Sequence, residues 1–181
     1  MNTWKTITLA HRLGFGAALL TLALLRPALA QSLPIPSSVG SSVVLLKAQA
    51  SGVQIYTWQA KPSEGKTPQS YQWVFKAPEA DLSGSDGGKI GRHYAGPTWE
   101  AVDGSKVVGG LIASASSPGN IPWLLLAAKT TTGKGQFSNV TYVERVFTSG
   151  GAAPKSGADA AHAGTQVRVP YTATYIFYGR P

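Results

Sequence analysis

Through Gly52–Ala60 (GVQIYTWQA) the side chains alternate in character at every step. Val53, Ile55 and Thr57 fall on one side, and Gln54, Tyr56 and Trp58 on the other. A period of two built from β-branched and aromatic residues is the pattern of a strand. It returns at Asn139–Thr148 (NVTYVERVFT) and at Val167–Tyr178 (VRVPYTATYIFY), where Val169, Tyr171, Ala173, Tyr175 and Phe177 share a face. Shorter runs predict strands at Ser42–Gln49, Tyr71–Lys76, Lys89–Ala95, Thr98–Val102 and Ser105–Gly109. Ile121–Lys129 contains the unbroken apolar run Trp123-Leu124-Leu125-Leu126, which suits a strand buried on both faces and puts Trp123 in the core.

The punctuation between these runs is that of turns. Lys61–Ser70 is a polar loop with two prolines, and Pro78–Gly88 reads as a long Gly/Ser/Asp connection. Gly96-Pro97 stops one strand, and Asp103-Gly104 is a strong hairpin signal. A two-residue turn there pairs Val102 with Ser105 and sets Glu100 opposite Val107. Either Glu100 then sits among apolar residues or the Trp99 face is the core, and the second is expected. Ser149–Gly164 is small and flexible in composition, with room for one helical turn near Ala158–Ala163. Pro170 inside the last strand predicts an edge or a bulge. With no amphipathic helix and no fixed repeat, the expectation is a single all-β domain over residues 42–181, a sandwich or barrel of roughly eight strands.

The residues before that domain read differently. Lys5, His11 and Arg12 precede the apolar run Leu13–Leu25, followed by Ala28-Leu29-Ala30. A basic start, a short apolar centre and an A-x-A site describe a secretory signal peptide over residues 1–30. The apolar run is short of the roughly 20 residues that span a bilayer. Residues 31–41, rich in Pro and Ser, form a flexible lead-in. A secreted or periplasmic location follows, with no membrane span after cleavage.

The chain has no cysteine, so packing alone must hold the fold, and cysteine-based zinc sites are excluded. Removing residues 1–30 leaves 13 basic and eight acidic residues, a net charge of +5. The basic residues are scattered singly, without the stripe that nucleic-acid binders show. No nucleic-acid partner is expected.

Candidate chemistry concentrates in Gly87–Gly104 (GGKIGRHYAGPTWEAVDG). His93, Tyr94, Trp99, Glu100 and Asp103 are the candidate ligand-binding residues: Trp99 to stack, His93 and Glu100 to hydrogen-bond. Trp58 is a second ring that could face a ligand. Only His93 and His162 follow the leader, so a three-histidine metal site is impossible, and no metal is expected. The stretch Ala60–Thr67 loosely imitates a phosphate loop, but Pro62 removes a backbone donor and Glu64 adds negative charge. Neither a dinucleotide-binding G-x-G-x-x-G nor a G-x-S-x-G nucleophile elbow occurs. No cofactor is expected.

The blocks GVQIYTW, HYAGPTWEAVDGS, WLLLAA, YVERVFTSGGAAP and VPYTATYIFY resemble the uncharacterised secreted family called domain of unknown function 3455, seen in bacteria and fungi. The resemblance spans nearly all of the chain after the leader and implies little about activity. Some fungal relatives carry a malate dehydrogenase label, and nothing in these residues supports that chemistry. Family members often have cysteines where Trp58 and Ala158 stand here, so the resemblance implies that these two positions face each other.

The expectation is therefore an exported β domain with a non-catalytic binding or cell-envelope role, its partner a carbohydrate or envelope component. The rival is a secreted hydrolase or lyase using His93 with Glu100 or Asp103. That rival requires His93 within hydrogen-bond reach of a carboxylate in an open cleft.

Overall fold

The computed structural model describes residues 42–61, 70–157 and 160–180. Eight strands follow one another: β1 (Val43–Ala60), β2 (Tyr71–Ser83), β3 (Lys89–Tyr94), β4 (Thr98–Ala101), β5 (Lys106–Ala115), β6 (Trp123–Thr132), β7 (Val140–Gly150) and β8 (Gln166–Gly179). Each is antiparallel to the next, and β8 returns to pair with β1, closing an up-and-down barrel. Of the two expected architectures, the barrel is the one formed. The leader, the lead-in, most of the Lys61–Ser70 loop and Ala158 lie outside the described residues.

Period-two alternation sets the inside. Ala48 and Ala50 on β1, Ala80 and Leu82 on β2, and Tyr171, Ala173, Tyr175 and Phe177 on β8 are all buried. The β8 face is the one its alternation predicts. Two expected strands merge into β1, because Gly52 is a point of close approach and not a break. A Cβ there would strike the Glu79 carbonyl oxygen and Ala80 on β2, so only glycine lets the two backbones pass. The first part of the expected Pro78–Gly88 connection, up to Ser83, is also strand, and the turn is confined to Gly84–Gly88: Pro78, Ala80 and Leu82 turn inward, while Glu79 and Asp81 face solvent and pair with Arg168 and Lys89.

Two registers differ from expectation. At the β4–β5 turn Gly104 takes a left-handed conformation (φ 83°), and the Ala101 N–H donates to the Ser105 carbonyl. The wider turn slips the pairing by one residue, so Trp99 lies opposite Val107 and Glu100 opposite Lys106. Trp99, Ala101 and Val107 are buried together, so the Trp99 face is the core. Pro170 is not on an edge, since β8 is paired on both sides. It faces Val53 of β1, just past the end of the β7 ladder at Gly150–Tyr171, and the irregularity falls on β7 between Val146 and Ser149. Trp123 is only half-buried and packs edge-on against exposed Phe147 instead of entering the core. The expected helical turn is present as a single 3-10 turn at Ala160–His162.

An antiparallel meander sends alternate connections to opposite ends of the barrel. The β2–β3, β4–β5 and β6–β7 connections share one end, which is plugged. Phe137, in the β6–β7 connection, is fully buried and stacks on Phe177 with ring centroids 4.6 Å apart. Asp103 and Ser105 of the β4–β5 turn hold the plug: the Gln136 N–H donates to Asp103 Oδ2 at 2.8 Å, and the Phe137 N–H to Ser105 Oγ at 3.0 Å. The β3–β4, β5–β6 and β7–β8 connections share the other end, where the described residues leave the interior open.

Candidate ligand-binding cavity

The open end holds a cavity of about 520 Å³ to which every strand contributes. Gln54 and Tyr56 come from β1, Phe75 and Pro78 from β2, His93 from β3 and Trp99 from β4. Gly109, Leu126, Arg145 and Tyr175 complete the ring from β5 to β8. The room exists partly because β5 offers no side chain at Gly109. A Cβ there would come within 3.0 Å of the Trp99 ring and 3.1 Å of Leu126.

The buried wall carries polar atoms that the fold leaves unpaired. Gln54 Nε2, Trp99 Nε1, Tyr171 Oη and Tyr175 Oη are buried with no hydrogen-bond partner among the described residues. Buried polar groups are almost always paired, and an unpaired one costs about 1–3 kcal/mol. Three of the four residues, Gln54, Trp99 and Tyr175, line the cavity, and Tyr171 lies against Gln54 and Tyr175. Arg145 is also buried, at 8% exposed. Its Nε and Nη2 donate to the Pro122 carbonyl at 3.1 and 2.8 Å, and no carboxylate pairs with it among the described residues. Burial pushes the Tyr56 and Tyr175 hydroxyls above their ordinary pKa, with the Arg145 charge pulling the other way.

His93 is part of this wall and carries no charge. It is 3% exposed and stacked on Trp99, and Tyr175 meets it edge-on at 5.1 Å. Burial lowers its pKa to about 3; the Thr98 carbonyl opposes that shift and the Arg145 charge reinforces it. At neutral pH its Nδ1–H donates to the Thr98 carbonyl at 2.9 Å, which leaves Nε2 as an acceptor.

The five candidates of Gly87–Gly104 thus separate into three places. His93 and Trp99 face each other across β3 and β4 and line the cavity. Tyr94 and Glu100 lie outside the barrel: the Tyr94 hydroxyl and Arg92 both donate to Glu100 Oε2 at 2.8 Å, and Lys106 Nζ is 3.5 Å from Oε1. Those two hydrogen bonds, Tyr94 first, hold the Glu100 carboxyl below its ordinary pKa. Asp103 is at the plugged end, accepting from the Ser105 hydroxyl, the Gln136 N–H and the Ser105 N–H. His93 therefore meets neither Glu100 nor Asp103, and its one hydrogen bond among the described residues is to backbone. The geometry required of an acid–base pair is missing.

Trp58 is not part of the cavity lining. It is 8% exposed, stacked on Tyr71 and packed on Trp73, and the Gly157 backbone presses on its ring. The chain just before Ala158 thus packs against Trp58, where the family resemblance places a facing position. An outer groove of similar volume crosses Glu79, Asp81, Arg92 and Arg168, but its charges are already paired with Arg168, Lys89, Glu100 and Glu79 in turn.

The sequence reading missed Gln54, Tyr56, Arg145 and Tyr175 as site residues. A signal was available: Gln54 shares its strand face with Tyr56 and Trp58, and Arg145 is two residues from Val143 and in phase with it along the strand. A polar residue in phase with a buried face is the informative kind.

A closed eight-stranded barrel with one plugged end and a ligand-sized cavity at the other is the class of protein that fold and site define. The chain belongs to the family described as Protein of unknown function (DUF3455), which matches residues 39–179. No curated protein matches it, and no solved structure does.

Proposed function

We propose that this protein is an exported, non-catalytic binding domain that takes a small molecule into its barrel mouth and serves in the cell envelope or outside the cell. One observation carries the reading: buried, unpaired polar atoms of Gln54, Trp99 and Tyr175 surround a cavity of ligand size. The basic start, short apolar run and A-x-A site before Gln31 support export. A rim that includes exposed Phe75 and Leu111 supports an amphipathic occupant. On this reading the ligand surface is not the outer face of Gly87–Gly104; that stretch contributes only His93 and Trp99.

Thermal unfolding against a panel of sugars, envelope polymers and small organic acids tests it. An occupant at about 100 times its Kd adds about 2.7 kcal/mol, a shift of several degrees for a domain of this size. The shift is expected to vanish in Trp99→Leu and to survive in Glu100→Gln. A cooperatively melting protein that shifts with nothing in the panel, or a shift lost in Glu100→Gln alone, contradicts the mouth as the site.

A further inference from the structure

The cavity wall is one-sided in charge. Lys76, Lys129 and Arg145 line it, and among the described residues no Asp or Glu does. Two of the lysine–arginine set are at the rim, but Arg145 is inside. A buried cation without a counter-ion is unfavourable, and among the described residues the fold answers it with the Pro122 carbonyl and the neighbouring Tyr175 hydroxyl. That carbonyl occupies one edge of the guanidinium, the Nε and Nη2 side. The end-on fork of Nη1 and Nη2 takes no carboxylate among the described residues. A guanidinium fork matches the two oxygens of a carboxylate in spacing and plane.

The surrounding atoms extend the same pattern. Tyr175 lies directly opposite Arg145 in the β7–β8 register, so both side chains share the inner face. Its hydroxyl and Gln54 Nε2 both lie against Tyr171 but close no hydrogen bond of good geometry among the described residues, so both can donate to an occupant. The rest of the lining, including Trp99, Leu124 and Leu126, is apolar and partly flat. A single buried guanidinium balances a single negative charge, so a monoanion fits better than a phosphate dianion.

Resting on the mouth as the ligand site, we infer that the cavity binds a small monocarboxylate with a flat, apolar body. Its carboxylate takes the Arg145 fork, with Tyr175 and Gln54 donating beside it, and its body lies against Trp99 and Leu126. Lys76 and Lys129 at the rim draw such an anion in.

Calorimetric titration of the purified protein at pH 7 with 2-naphthoate and with 2-naphthamide separates the two ideas, because the pair share a shape and differ in charge. Naphthoate is expected to bind about tenfold or more tightly than naphthamide. Arg145→Gln should bring the two to equal affinity. Tyr175→Phe, which deletes only a hydroxyl, should weaken naphthoate more than naphthamide, whose carbonyl accepts a weaker hydrogen bond, so the inference stays testable if Arg145→Gln does not fold. Equal binding of both compounds to the unaltered protein overturns the carboxylate and leaves the mouth as a site. Binding of neither to the folded protein removes the mouth as a site for flat molecules, and both ideas fall.

Discussion

His93 lies flat on Trp99, ring centroids 4.5 Å apart and planes 13° apart, as a directly opposed pair on β3 and β4. The stack is inside the barrel, where an imidazolium would be isolated from water. His93 is therefore a neutral aromatic surface for most of the pH range.

That neutrality links stability to pH. The folded pKa of about 3 lies below the ordinary histidine value of 6.5, so between these values the unfolded chain binds a proton that the folded chain does not. Stability should rise with pH across pH 3 to 6.5 and be lost as pH falls, with a His93 contribution approaching about 1.4 kcal/mol per pH unit in mid-window. Urea unfolding at a series of pH values measures the slope. His93→Phe, which keeps a ring against Trp99, should reduce it; an unchanged slope would refute the assignment.

Asp103 latches the β4–β5 turn to the plug. Its carboxyl is held below its ordinary pKa, first by the Ser105 hydroxyl and then by the Gln136 and Ser105 N–H groups. Its contribution is present above the unfolded pKa of about 3.9 and fades as pH falls through the lowered folded value. Asp103→Ala should lower the melting temperature by on the order of a few degrees. Its affinity for any cavity occupant should stay at the parent value, and titration of the variant checks that independence.

Phe137→Ala removes a ring that is 0% exposed and stacked on Phe177. Deleting a buried phenylalanine costs about 3–5 kcal/mol. Denaturant midpoints should report a loss of that size. A loss under about 1 kcal/mol would mean that the plug closes the end without supporting the core.

Gly52→Ala places a methyl against the Glu79 carbonyl and Ala80. Forcing β1 and β2 apart should destabilise the barrel by about 1–3 kcal/mol, or prevent folding. Gly87→Ala is the control: Gly87 has φ 80° but an empty surrounding, so its penalty is conformational only, about 1 kcal/mol. Comparing the two midpoints separates close approach from backbone strain.

The strands were legible wherever alternation was strict. The inner face of β8, from Tyr171 to Phe177, is the face its sequence predicts, because each residue there answers to one local rule. Gly52 and Pro78 misled for the opposite reason: their residue types usually mark breaks, and here a neighbouring strand decides their role. The site was half legible. His93 and Trp99 stand out as chemistry in one short stretch, but Tyr94 and Glu100 alternate with them and so must leave the cavity. Gln54, Arg145 and Tyr175 come from β1, β7 and β8, and only the closing β1–β8 pairing brings them to the same wall. Local pattern carries no information about that closure.

The Phe137 plug makes the barrel a cul-de-sac. A molecule that enters past Phe75 and Leu111 must leave by the same door. On the proposed reading the protein would store, sequester or hand over a ligand rather than pass it through, and two ligands at the mouth would exclude each other.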